Sequence, residues 1–182
     1  MKKNKHGSNF KKKKNDFYQT VDPAAPLALH NVLEPQTKYT EPCVGCGALV
    51  YGLSEYGHRC VHAYDLIMRK KTPQYARQLD AFDLTEKHVR KSDFIITNPP
   101  FTRSILHPMI ENFISLRPTW LLFEADWAHT GQSIPYMPYC KKIVSVGRLR
   151  WFKNTKGKST KDFSWYLFTD RKSKSITFVP RQ

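Results

Sequence analysis

Short apolar runs separated by polar or helix-period stretches dominate the chain. Lys38 to Thr40, Arg59 to Asp65, Leu79 to Leu84, Phe94 to Thr97 and Trp120 to Ala125 each read as a short strand. The last two are apolar on successive residues, the pattern of strands buried on both faces. Asp22 followed by Pro23 has the form of an N-cap with proline at the first helical position, and it opens a helix through Leu27, Leu29 and Leu33. A second apolar helix is predicted from Ala48 to about Glu55. Ile105, Leu106, Met109, Ile110, Phe113 and Ile114 recur on one face of a third, which Arg117 and Pro118 end. Pro108 predicts that its regular part begins near His107, with Thr102 to Leu106 as a looser entry segment.

Strand and helix alternate as in βαβ units, with a loop and the segment from Lys87 to Lys91 before the strand at Phe94. The predicted fold class is therefore α/β, a doubly wound Rossmann-like fold with a mostly parallel sheet and ligands at the carboxyl ends of its strands. Beyond it, Asp126 to Tyr139 has no strand or helix period and reads as a long loop, expected to act as a lid or substrate loop. Ile143 to Phe152 and Phe163 to Phe168 predict an antiparallel closing hairpin, with a further short strand at Ile176 to Val179.

Charge changes the picture next. The 182 residues carry 30 Lys and Arg against 15 Asp and Glu, a net charge of +15, which favours a polyanion such as nucleic acid as partner. Residues 1–15, with Lys11, Lys12, Lys13 and Lys14 at their end, hold almost nothing apolar and are expected to form a disordered basic arm ahead of a single domain at 16–182. Lys153, Lys156 and Lys158 add a second basic site in the hairpin turn. No apolar run reaches the ~20 residues of a membrane span, and no secretory signal follows the basic N-terminus, so a cytoplasmic protein with reduced thiols is expected. Cys43 and Cys46 have no second Cys or His pair at finger-like spacing, which argues against a metal and for packing.

Two segments carry candidate chemistry. Asn98-Pro99-Pro100-Phe101 follows the strand at Phe94 as a stiff turn that offers acceptors and no backbone donor, beside an aromatic ring expected to be exposed. A planar heterocycle with an amino group fits that turn. Glu41-Pro42-Cys43-Val44-Gly45-Cys46-Gly47 joins a strand to a helix, where Gly45 and Gly47 let the backbone approach a small molecule at the helix N-terminus. Asp65, about 20 residues on at a strand end, stands where doubly wound nucleotide folds grip ribose hydroxyls.

With both segments in this order, the chain resembles the class I S-adenosylmethionine-dependent methyltransferases, in particular the adenine-N6 group. The resemblance covers about Phe17 to Thr169, and the segments at Arg148 to Phe152 and Asp162 to Trp165 resemble the closing hairpin of small phage and bacterial enzymes. It implies that Phe17 and Tyr18 lie beside the methionine end of S-adenosylmethionine, that Glu41, Cys43, Gly45 and Gly47 lie in its cradle, and that Asn98 also touches the cofactor. It implies further that Asp65 binds the ribose, that Phe82 and Asp83 hold the cofactor adenine, and that Asn98, Pro99, Pro100 and Phe101 carry methyl transfer. Val44, where a smaller residue is usual, and the phenylalanine at 101 depart from the common pattern, and no insertion is long enough for a target-recognition domain. The expected substrate is adenine in DNA, with adenine in RNA next. Methylation of a protein glutamine, or nucleic-acid binding without catalysis, stands behind these.

Overall fold

The computed structural model describes residues 18–153 and 157–181. The basic arm with Lys11 to Lys14, Phe17 and Lys156 lie outside the described residues. Eight strands form one sheet: β1 Lys38–Glu41, β2 Arg59–Asp65, β3 Arg77–Gln78, β4 Phe94–Thr97, β5 Thr119–Glu124, β6 Cys140–Gly147, β7 Phe163–Phe168 and β8 Thr177–Val179. Their spatial order is β3-β2-β1-β4-β5-β7-β6-β8. Strands β1 to β5 run parallel, β7 runs antiparallel to both β5 and β6, and β8 returns parallel to β6. The chain starts in the middle of the sheet, winds outward to β3, and crosses back to β4. The reversal lies between β1 and β4, where folds of this class open a crevice.

Both sheet faces are covered, which is why β4 and β5 read as unbroken apolar runs. In β5, Leu121 and Phe123 pack with Leu106, Ile110 and Phe113 of helix α3 (Arg103–Ile114) on one face. Trp120 and Leu122 point the other way, into Leu29 of α1 (Ala24–His30) and Leu53 of α2 (Ala48–Ser54). Helix α1 starts one residue later than predicted, with Pro23 rather than Asp22 at the N-cap, yet Asp22 still braces its first turn: one carboxylate oxygen accepts from the Ala24 N–H at 3.1 Å, the other from the Arg150 N–H at 3.0 Å. That second bond ties the start of the described chain to the loop after β6.

Several predicted boundaries are corrected. Leu79 to Leu84 is not a strand: the third strand is Arg77–Gln78, and the Asp80 carboxylate accepts from the Phe82 N–H at 3.0 Å to close a 3-10 turn over Ala81–Asp83. Lys87 to Lys91 opens in another 3-10 turn, Glu86–His88. Helix α1 ends at His30, short of Leu33. Helix α3 starts at Arg103, where Ile105 and Leu106 already donate to the Thr102 carbonyl at 2.9 Å each, and it carries Pro108 inside it at the loss of a backbone hydrogen bond. Strand β6 stops at Gly147, whose φ of 87° turns the chain away before Arg148 to Phe152. The stretch 126–139 consists largely of 3-10 turns and is pinned to the core by Trp127, which is fully buried. No described helix is long and apolar enough to cross a membrane.

Candidate functional site

A cleft of about 350 Å³ opens at the carboxyl ends of β1, β2 and β4. Glu41 and Asp65 are the last residues of their strands and Asn98 follows β4, so the sheet itself brings three polar side chains, distant in sequence, to one rim. Tyr18, Cys43, Gly45, Phe82 and Pro100 also line the cleft, and Ile105 and Met109 of α3 contribute apolar wall. The volume is in the range of small-molecule sites, roughly 300 to 1,000 Å³.

The loop between β1 and α2 takes its shape from two left-handed glycines, Gly45 at φ 55° and Gly47 at φ 78°. A side chain at Gly47 would place its Cβ 2.6 Å from Pro73 Cγ, so this position needs glycine for space as well as for conformation. Asp65 fastens the loop: its Oδ2 accepts from the Gly45 N–H at 2.7 Å, and its Oδ1 accepts from the Ile67 N–H at 2.8 Å and the Arg69 guanidinium at 3.2 Å. The Thr72 hydroxyl donates to the Gly45 carbonyl at 2.8 Å from the other side.

Glu41 is 1% exposed. Its Oε1 accepts from the Cys43 N–H at 3.1 Å and from the Thr97 hydroxyl, while Oε2 has no partner. Burial pushes its pKa up to about 8, over the opposing pull of those two hydrogen bonds, and the Asp65 charge adds to the rise. Burial likewise holds the Cys43 thiol well above its ordinary value, and pushes Cys60 and Cys140 up to about 12. Among the described residues no three His, Cys, Asp or Glu side chains are grouped to hold a metal ion.

Asn98 has a fixed orientation. Its Nδ2 donates to the Tyr18 carbonyl at 3.2 Å and to the Thr20 hydroxyl at 3.1 Å, and its Oδ1 is buried without a partner. Phe101 is not the exposed ring the sequence predicts. It is half-buried, stacked on Tyr18 with centroids 5.2 Å apart and planes 18° apart, and set against Trp151 at 5.8 Å and Phe163 at 5.6 Å. Arg103 reaches the Phe101 carbonyl at 3.4 Å and pairs with Glu124 at 2.7 Å, which braces the turn against the end of β5.

Not every expected residue reaches the cleft wall. Gly47 starts α2 behind it, Pro99 is buried, and Phe101 stands beside the lining. Asp83 is exposed on the far side of its turn, and Asp80 faces the cleft in its place because the 3-10 turn, not a strand, sets the direction of these side chains. Lys153 and Lys158 are exposed, and neighbouring Lys161 pairs with Glu124 at 2.9 Å and Asp126 at 3.4 Å. The stretch 126–139, expected as a lid or substrate loop, contributes nothing to the cleft lining. Sequence reading missed Thr20, Thr97, Arg69 and Asp80. Of these only Arg69, four residues after a strand-end aspartate, carried a local signal.

No protein-family model matches the sequence, and no curated protein matches it. Solved structures do. A protein described as a class I S-adenosylmethionine-dependent methyltransferase from Listeria monocytogenes superposes with a TM-score of 0.59 at 12% identity, over 90% of this chain and 66% of that one. A type I restriction-modification methyltransferase subunit from Streptococcus thermophilus gives 0.58 at 8% identity, over 90% and 47%. A dimethyladenosine transferase from Plasmodium falciparum gives 0.55 at 16% identity, over 84% and 62%. The chain thus spans about half to two thirds of these proteins. At such identities the likeness concerns the fold, which is the class I methyltransferase fold.

Proposed function

We propose that the chain transfers the methyl group of S-adenosylmethionine to the N6 amino group of adenine in DNA. The observation that carries this reading is the Asn98 amide: its nitrogen is held by Tyr18 and Thr20, and its oxygen is left as a buried acceptor with no partner. A buried acceptor without a donor costs on the order of 1–3 kcal/mol. An exocyclic amino group is the donor it lacks.

The cleft fits the cofactor by the same reasoning. Glu41 Oε2 is a second orphaned polar atom, and the left-handed Gly45 brings bare backbone to the cleft wall. Glu41, Cys43, Gly45 and Asp65 would hold the cofactor from the β1 and β2 side, Tyr18 from the methionine end, and Asp80 with Phe82 from the far end. Asp80 takes there the part that the resemblance assigned to Asp83. S-adenosylmethionine, when bound, supplies a sulfonium methyl that is already electrophilic, so no nucleophile, metal or triad is needed. The chain's own work is positioning and exclusion of water. Asn98 Oδ1 and the Pro99 carbonyl accept from the target amino group and turn its lone pair toward the methyl. Phe101 supports the base, which displaces the Tyr18 ring if it stacks on the face that Tyr18 now covers. A target within a duplex is extruded first.

Adenine in RNA is the second reading, favoured by the likeness to a dimethyladenosine transferase and by the ease with which single-stranded bases enter such a cleft. The test of the site is Asn98→Ala. Transfer of labelled methyl is expected to fall at least a hundredfold, while S-adenosylmethionine binding, measured calorimetrically, stays within a few fold. Equal loss of both sinks the assignment of Asn98 to the target.

A further inference from the structure

A second cavity, of about 510 Å³, lies at the β2–β3 edge of the sheet, lined by Val61 to Tyr64, Tyr75, Arg77, Lys87 and His88. The crossovers of a doubly wound sheet ordinarily place α-helices over its faces. Between β2 and β4 this chain has only the two-residue β3 and two 3-10 turns, so no crossover helix is laid over this edge, and α2 packs on one face of β2 through Val50 against Ala63 and Ala76. Strand β3 pairs only with Tyr64 and Asp65, and among the described residues no strand pairs with Arg59 to Ala63 on that side.

The lining has a consistent chemistry. Arg77 and Lys87 are exposed cations, and neither forms an ion pair among the described residues. The nearby Glu86 carboxylate is already held by Arg117 at 2.8 Å. No carboxylate lines the cavity. His62 Nε2 donates to the Arg90 carbonyl at 2.8 Å, which leaves Nδ1 as an acceptor. His88 Nδ1 accepts from the Thr85 N–H at 3.1 Å, which puts its proton on Nε2. Tyr64 backs the cavity, with the His62 ring parallel to it at 18° and the His88 ring edge-on at 80°. Tyr75 stands at the mouth, 55% exposed.

Two unpaired cations, ring donors and acceptors, and an exposed aromatic face are what one nucleotide of a single strand asks for: charge for its phosphate and a platform for its base. We propose that this edge cavity binds a nucleotide unit of a nucleic-acid strand, apart from the cleft at Asn98, with the phosphate on Arg77 and Lys87 and the base against Tyr75. The proposal does not depend on methyl transfer.

Binding of a labelled oligothymidylate of about ten nucleotides, which offers no adenine to the cleft, tests it by fluorescence anisotropy over a salt series. In both Tyr75→Ala and the double variant Arg77→Gln/Lys87→Gln, affinity is expected to fall about tenfold. In the double variant the salt slope should also drop by about 0.7, for the one single-strand phosphate lost. Retained S-adenosylmethionine binding would show that the variants are folded. No binding by the unmodified chain, or the same affinity and slope in the variants, overturns the proposal. Thymidine 5′-monophosphate bound as tightly as the oligomer would assign the cavity to free nucleotides and overturn the strand. A dimer lost in these variants, with oligomer binding untouched, would assign the bare edge to strand pairing instead.

Discussion

A carboxyl group with a pKa near 8 makes Glu41 a proton store within the cleft. Between its ordinary value of 4.5 and about 8 the folded chain keeps a proton that the unfolded chain releases, so folding stability falls as pH rises through this window. Below the window both states are protonated and the effect vanishes. Thermal melts should therefore show the wild type losing stability relative to Glu41→Gln from about pH 5 to pH 8, with the difference levelling off above that. A difference independent of pH would show that Glu41 is ionised in the folded cleft. At this scale the sequence was half legible. Glu41, Asp65 and Asn98 stand out through their motifs, but the groups that hold them do not. Thr97 reaches Glu41 across 56 residues and Thr20 reaches Asn98 across 78, and a threonine carries no sign of which distant carboxyl or amide it will meet.

Among the elements, the loop from β1 to α2 bears most on the cleft. Gly47 combines a left-handed φ with a Cβ position 2.6 Å from Pro73, so Gly47→Ala strains the backbone and pushes on a buried ring together. A loss of about 1–3 kcal/mol of stability is expected by chemical denaturation, along with weaker S-adenosylmethionine binding as the loop shifts. Unchanged stability would show that the loop is slack. Strands buried on both faces were legible because their apolar runs have a single reading. The region from Leu79 to Leu84 was not, because a side-chain bond from Asp80 outweighed its strand-like pattern and turned Asp83 outward. Pro108 misled in the other direction: it sits inside the continuous helix Arg103–Ile114, where it forgoes one backbone hydrogen bond without ending the helix.

For the molecule as a whole, fold class follows from the alternation of elements, and the proposed nucleic-acid partner rests on a net charge of +15. The sequence does not reveal the uncovered β2–β3 edge, since a missing crossover helix leaves only a polar segment behind. Residues 1–14 hold seven lysines, and removing them should weaken nucleic-acid binding and flatten its dependence on salt without altering S-adenosylmethionine binding. An unchanged slope would take the arm out of the interface. The central claim, adenine-N6 transfer, is tested most directly by incubating the protein with labelled S-adenosylmethionine and duplex DNA, single-stranded DNA or total RNA, followed by nucleoside analysis. The account predicts N6-methyladenine in DNA. Label in RNA alone would move the substrate to the second reading, and no N6-methyladenine in any pool, with the cofactor bound, would contradict the account.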